Sequence, residues 1–148
     1  MLLIAVGKLR AGPERTLFDR YAVRLRPKLD VREIGEAPGP AHEAKRREAA
    51  AILAAMPDGA LAVALDLAGQ SVTSEAFAAQ LVHWTEHPRP LVFLIGGADG
   101  LGDPVLARAD ARLALGPLTW PHMLARVLLV EQIYRAQSIV AGHPYHRG

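Results

Sequence analysis

The chain has 148 residues, is 51% hydrophobic and contains no cysteine, which excludes disulfide frameworks, thiolate metal sites and cysteine nucleophiles. A sequence pI of 9.3 goes with a formal charge of only +2, so the net balance alone does not argue for a nucleic-acid partner. A chain this long without internal repeats fits one domain, residues 1–148, with a core of its own.

In chain order, "LLIAV" (2–6) is a short apolar run closed by a glycine and a lysine, too brief for a leader or a membrane span, and it reads as a strand. Residues 8–32 carry eight cations against three carboxylates. A helical pattern at about 14–27 sets Leu17, Tyr21 and Leu25 on one side and Arg20, Arg24 and Lys28 on another, so a packed face and a cationic face are expected. "VREI" (31–34) is a second strand, and the loop "GEAPGPAH" (35–42) leads to a helix at about 42–56. "ALAVAL" (60–65), "LVFLI" (91–95) and "ARLAL" (111–115) are further strands, with helices between and after them at about 73–86, 103–109 and 122–141. Thr73 or Ser74 caps one of these, Asp103 stands before Pro104 at the start of another, and Gly142 follows the last.

Strand–helix alternation with nearly continuous apolar strands predicts an α/β fold on a parallel sheet covered on both faces. In such sheets the ligand crevice lies beyond the carboxyl ends of the strands. Three segments emerge there: "DLAGQ" (66–70), "GGADG" (96–100) and "GPLTWPH" (116–122). They combine glycines, Asp66 and Thr119 with Leu65, Leu67, Leu118 and Trp120, a mixture suited to a flat, partly apolar small molecule. There is no G-x-G-x-x-G turn, no Walker sequence and no G-x-S-x-G elbow, and the H-x-x-H of His143 and His146 lacks the rest of a zinc motif. The final helix has apolar residues on more than one face from Met123 to Val140, which implies burial on two sides, either deep in the core or between two copies, and the contact between copies is preferred.

"LIGGADGL" (94–101), "LTWPHMLARVLLVEQIYRA" (118–136) and "HPYHR" (143–147), with "LLIAVGKLR" (2–10) and "LDLAGQ" (65–70), closely resemble the large-subunit rRNA pseudouridine methyltransferase H family of the SPOUT, or α/β-knot, class. The resemblance spans the whole chain. It implies a deep trefoil knot near the C-terminus, which physical rules would not suggest. It also implies S-adenosylmethionine bound by Leu65, by Gly97 and by the knot loop Gly116, Pro117, Leu118, Thr119, Trp120 and Pro121. Trp120 is read equally as core packing, and Gln70 stands where relatives often carry lysine. A cytoplasmic homodimer is implied, acting on N3 of a pseudouridine in 23S rRNA of the assembled 70S ribosome, with no metal and no membrane. The tail residues His143, Tyr145, His146 and Arg147 are implied to complete the active site across the dimer: Tyr145 and His146 for the base, Arg147 for a phosphate. His143, His146 and Asp66 are candidate acceptors for the N3 proton, and a water path is equally open. Two other readings remain, a ribosome-binding factor without catalysis and a small-molecule enzyme of flavodoxin-like fold.

Overall fold

The computed structural model describes residues 1–146. Five strands and five helices alternate: β1 (Leu2–Val6), α1 (Pro13–Ala22), β2 (Asp30–Ile34), α2 (Ala41–Ala55), β3 (Leu61–Ser71), α3 (Ser74–Glu86), β4 (Leu91–Ile95), α4 (Asp103–Arg108), β5 (Ala111–Ala114) and α5 (His122–Val140). All named strand pairs are parallel, in the order β2-β1-β4-β3-β5. Every strand therefore ends at the same sheet edge.

Alternation along the strands builds two cores, because successive side chains point to opposite faces. Leu3, Val63 and Phe93 pack under α1, α3 and α5, with Phe18, Phe77, Trp84, Val130 and Ile133. Ile4, Ala62, Val92 and Leu94 pack under α2 and α4, with Ala49, Ile52 and Val105. Phe93 is fully buried and meets Trp84 edge-on at 6.3 Å; such burial contributes about 1.5–3 kcal/mol. At the edge, β2 is exposed and charged through Asp30, Arg32 and Glu33, which discourages pairing with another strand.

Four local expectations differ from the structure. Helix α1 stops at Ala22, where the Arg24 and Leu25 N–H groups bond three residues back, to the Tyr21 and Ala22 carbonyls, and the chain turns away ahead of Pro27. Arg24 and Lys28 thus lie beyond α1 and share no helical face with Arg20; on the packed side Phe18 is buried while Leu17 is 40% exposed. Gly102, not Asp103, occupies the N-cap of α4, and no side chain caps it. At α3 the cap is one of the two expected, Thr73, which accepts from the Ala76 N–H at 3.2 Å.

The fourth difference shapes the site. Strand β3 does not end at Leu65 but runs to Ser71, and both Leu65 and Gln70 pair with Leu113. Residues 66–69 are therefore looped out of the ladder. Gly69 closes this bulge against β5: a Cβ there would sit 2.8 Å from the Leu113 backbone nitrogen. Helix α5 is buried on two sides within the chain itself, packing against α1, α3 and β4. Val127 and Ile133 belong to that core, whereas Leu124 and Val140 are exposed.

Candidate active site

A cavity of about 370 Å3 opens at the carboxyl edge of the sheet, within the range of small-molecule pockets. Its walls come from the β3 bulge (Leu65, Asp66, Leu67), the turn after β4 (Gly96 to Leu101), the segment after β5 (Leu115, Leu118, Thr119, Trp120), the first turn of α5 (His122, Ala125) and Lys45 of α2. The bulge pushes Asp66 and Leu67 into it. After β4, the Gly100 N–H donates to the Gly97 carbonyl at 3.1 Å and tightens the loop. Trp120 donates from Nε1 to the Leu115 carbonyl at 3.1 Å, which folds the β5–α5 loop over the opening. At 40% exposure Trp120 is not a core residue. It is the wall between this cavity and a second one of about 300 Å3, lined by Thr73, Ser74, Phe77, Gly116, Leu128 and Gln132 among others.

Of the residues expected to hold a cofactor, Leu65, Gly97, Leu118, Thr119 and Trp120 line the first cavity and Gly116 lines the second. Pro117 and Pro121 stand in the same loop without lining either, as does Gln70 in the returning arm of β3. The cavity is rich in carboxylates: Asp66, Asp99 and Asp103 face the single ammonium of Lys45. Asp66 lies 3.9 Å from Arg112.

Arg126 fixes the α5 side of the site. Its side chain is 1% exposed, pairs with Glu33 at 3.2 Å, and donates to the carbonyls of Val6 and of Gly7, the latter at 2.8 Å. Burial lowers its pKa, opposed by the charge and hydrogen bond of Glu33. The guanidinium thus ties the start of α5 to the end of β1, across the ends of β4 and β3.

The tail is held elsewhere. The Tyr145 hydroxyl donates to Glu131 Oε1 at 2.9 Å and lies 3.3 Å from the Tyr21 hydroxyl, its ring stands edge-on to Tyr134 at 4.8 Å, and Arg135 covers it at 5.0 Å. Burial, then the bonds to Tyr21 and Glu131, push its pKa well above the ordinary phenol value. His143 Nδ1 accepts from the Tyr145 N–H at 3.1 Å, and His146 Nε2 meets Glu75 Oε1 at 2.9 Å. The Glu75 carboxyl is held below its usual range by its own backbone N–H, the Thr73 hydroxyl and His146. Arg147 lies outside the described residues. Glu131 is nine residues past His122, about 14 Å along the helix axis, so these tail groups flank the middle of α5 and do not line the first cavity of their own chain.

His122 and Arg126 lie inside the segment that carries the family resemblance, "WPHMLAR" (120–126), but the sequence reading assigns neither a role in the site. The available signal was a histidine directly after a strand-end loop and an arginine within the apolar first half of a helix. Of the basic region, Lys8, Arg10 and Arg20 make no ion pair among the described residues, and Lys8 and Arg10 leave β1 at the edge where the cavity opens. Among the described residues no cluster of three or more His, Asp and Glu is placed to hold a metal ion, and no helix is long and apolar enough to cross a membrane.

A family model described as "Predicted SPOUT methyltransferase" matches residues 1–146. The chain is 58% identical over 147 residues to the ribosomal RNA large subunit methyltransferase H of Gluconacetobacter diazotrophicus, covering 99% of this chain and 97% of that protein. It is 54% identical over 149 residues to the protein of the same name from Rhodospirillum rubrum, covering 99% and 98%. Among solved structures, a probable methylase family protein from Haemophilus influenzae Rd KW20 superposes with a TM-score of 0.56 at 10% identity, over 99% of this chain and 70% of that one, a likeness of fold alone.

Proposed function

The chain belongs to the SPOUT methyltransferase family, and on that premise we propose that it is an rRNA methyltransferase that moves a methyl group from S-adenosylmethionine to N3 of a pseudouridine in 23S rRNA of the assembled 70S ribosome. The observation that carries this reading is the convergence of the β3 bulge and the segments after β4 and β5 on one cavity that also takes in the first turn of α5. Its chemistry suits the donor. Leu65, Leu118 and Trp120 offer apolar faces for a purine, the loop backbones after β4 and β5 offer donors and acceptors, and Asp66, Asp99 and Asp103 favour a cation. When bound, S-adenosylmethionine supplies a methyl group already activated on a sulfonium.

The protein's task is then alignment and desolvation. Holding acceptor and methyl in near-attack geometry contributes on the order of 7–11 kcal/mol, and the walls that do so are fixed by the Trp120–Leu115 bond and by Arg126. A trefoil knot with residues 116–121 as its loop is part of this reading, and the path of the chain is compatible with it: β5 is at the sheet edge and α5 begins against β1, so the connection crosses the ends of β3 and β4.

A homodimer belongs to the same reading. The tail flanks mid-α5 of its own chain, about 14 Å from the first turn, so a tail that serves the cavity does so most simply in a second copy. Exposed Leu67, Leu118, Trp120, Leu124 and Val140 are apolar surface for that contact. Within one domain spanning residues 1–148, Lys8, Arg10 and Arg20 supply phosphate contacts on RNA.

The test is methyl transfer from labelled S-adenosylmethionine to ribosomes lacking this modification, with the labelled nucleotide identified. Label on N3 of a 23S pseudouridine supports the proposal, and label on another RNA or none overturns it. Sedimentation of a folded monomer at micromolar concentration would overturn the dimer.

A further inference from the structure

We propose that His122, with the Glu36 carboxylate beside it, is the group that takes the proton from the methyl-accepting nitrogen, a role that deepens the methyltransferase reading and rests on it. Its imidazole lines the cavity, with a side chain 22% exposed. Nε2 is buried and has no hydrogen-bond partner; the nearest carboxylate oxygen, Glu36 Oε1, is 3.8 Å away. Gly7 makes room for the pair, since a Cβ there would come within 2.8 Å of Glu36 Oε1 and 3.4 Å of His122 Nε2. A proton on Nε2, facing Glu36, leaves Nδ1 as the basic nitrogen.

An imide nitrogen that gains a methyl must lose its proton. As the nitrogen bonds to the methyl carbon, the carbon–sulfur electron pair passes to sulfur, which becomes a neutral thioether. The proton on the nitrogen goes to His122 Nδ1, and the resulting imidazolium is balanced by Glu36 before it returns the proton to water. Oriented carboxylate, imidazole and acceptor follow the logic of general-base pairs elsewhere.

The competing bases are less well placed. His143 accepts the Tyr145 N–H and His146 is bonded to Glu75 through Nε2, with its Nδ1 buried and unpartnered, and neither lines the cavity of its own chain; Asp66, which does, lies 3.9 Å from Arg112. The charged groups facing His122 are Glu36 from the β2–α2 loop, Arg126 one turn along α5 with its partner Glu33, and Lys45, Asp66, Asp99 and Asp103 across the cavity. Arg126 is already neutralised by Glu33, which leaves Glu36 to stabilise a positive charge on the imidazole.

The test compares the full-length protein with His122→Gln and Glu36→Gln in single-turnover methyl transfer to ribosomes from pH 5.5 to 9, alongside calorimetric binding of S-adenosylmethionine. His122→Gln is expected to slow transfer about 100- to 10,000-fold, to abolish the acid limb of the pH–rate profile, and to weaken S-adenosylmethionine binding far less than it slows transfer. Glu36→Gln, a change at an exposed side chain that spares the fold, is expected to slow transfer less and move the acid limb to lower pH. An unaltered pH–rate profile in either variant overturns the proposal, as does a His122→Gln protein whose loss is matched by lost cofactor affinity, which would make His122 a cavity wall. Failure of the unsubstituted protein to methylate rRNA while it binds S-adenosylmethionine would instead overturn the rRNA reading and this inference with it.

Discussion

Replacing Arg126 with methionine keeps most of the side chain's volume and removes its charge and donors. The loss can be apportioned from the contacts. The Val6 and Gly7 carbonyls each lose a charged donor in a buried setting, and Glu33 loses its ion-pair partner. Breaking a buried pair on one side costs about 3–5 kcal/mol, but Glu33 remains 30% exposed and can recover solvation, so the lower half of that range applies. The desolvation of Arg126 itself, which already weakens its charged form, is relieved by the change and offsets another part. A net destabilisation of about 2–3 kcal/mol follows, or roughly 5–10 °C in Tm for a chain of this length. S-adenosylmethionine affinity should fall as well, because Ala125 and His122 lose the tether that holds them at the cavity. Differential scanning calorimetry and isothermal titration provide the two readouts. Adding Glu33→Gln should restore part of the stability, since it removes a charge left with only the Leu9 N–H as donor and an amide oxygen can still accept that bond. A Tm within 1 °C of the parent, or a double variant that is simply additive, would refute the tether.

Asp110 accepts from Arg89, Arg108 and the Ala62 N–H, joining the starts of β3, β4 and β5. Burial resists its ionisation, but the Arg89 and Ala62 bonds prevail and hold its carboxyl below the usual value. Its contribution to stability is therefore fully present above about pH 4 and is lost as pH falls through the depressed value; Asp110→Asn should be less stable at neutral pH and show a flatter acid limb in chemical denaturation. Tyr145→Phe keeps the ring between Tyr134 and Arg135 and removes the hydroxyl bonds, an expected cost of about 1 kcal/mol; because the folded-state pKa is raised, the parent alone should lose stability as pH rises above about 10. Lys8→Ala with Arg10→Ala should weaken ribosome binding and flatten its dependence on salt, without changing which nucleotide is methylated. An unchanged salt slope would remove these cations from the RNA surface.

The strands "LLIAV" and "LVFLI" were legible to the residue because they are unbroken apolar runs between clear breakers, and a central parallel strand needs nothing else. The α1 terminus was not, since helical periodicity continues through Leu25 while the chain turns away before Pro27. "DLAGQS" reads locally as a turn, and only pairing with Leu113 and Ala114 reveals that β3 resumes after a bulge. In α5 the pattern correctly announced burial on two sides. It could not say by what, and α1 and α3 of the same chain provide much of the cover.

The tail shows the same division between pattern and position. "HPYHR" gave the residue types for stacking and hydrogen bonding, but a sequence treats its last residues as free, and Tyr145 is not free. Its ring is enclosed by Tyr21, Tyr134 and Arg135, and its hydroxyl is tied to Glu131, so deleting residues 143–148 removes packing from α1 and α5 as well as any substrate contact. A lost activity in that deletion would therefore be ambiguous between fold and site. The anchoring has a functional consequence of its own. A tail pinned at Tyr145 has already lost most of its conformational freedom, so groups next to it can meet an RNA base without the ordering cost of a free terminus. Tyr145→Phe separates the two roles: it weakens the anchor slightly and retains the aromatic face. If the tail works as a preorganised arm, the substitution should raise the ribosome concentration needed for half-maximal transfer and leave the maximal rate nearly unchanged. A fall in the maximal rate alone would place the hydroxyl in the chemistry and refute the anchor argument.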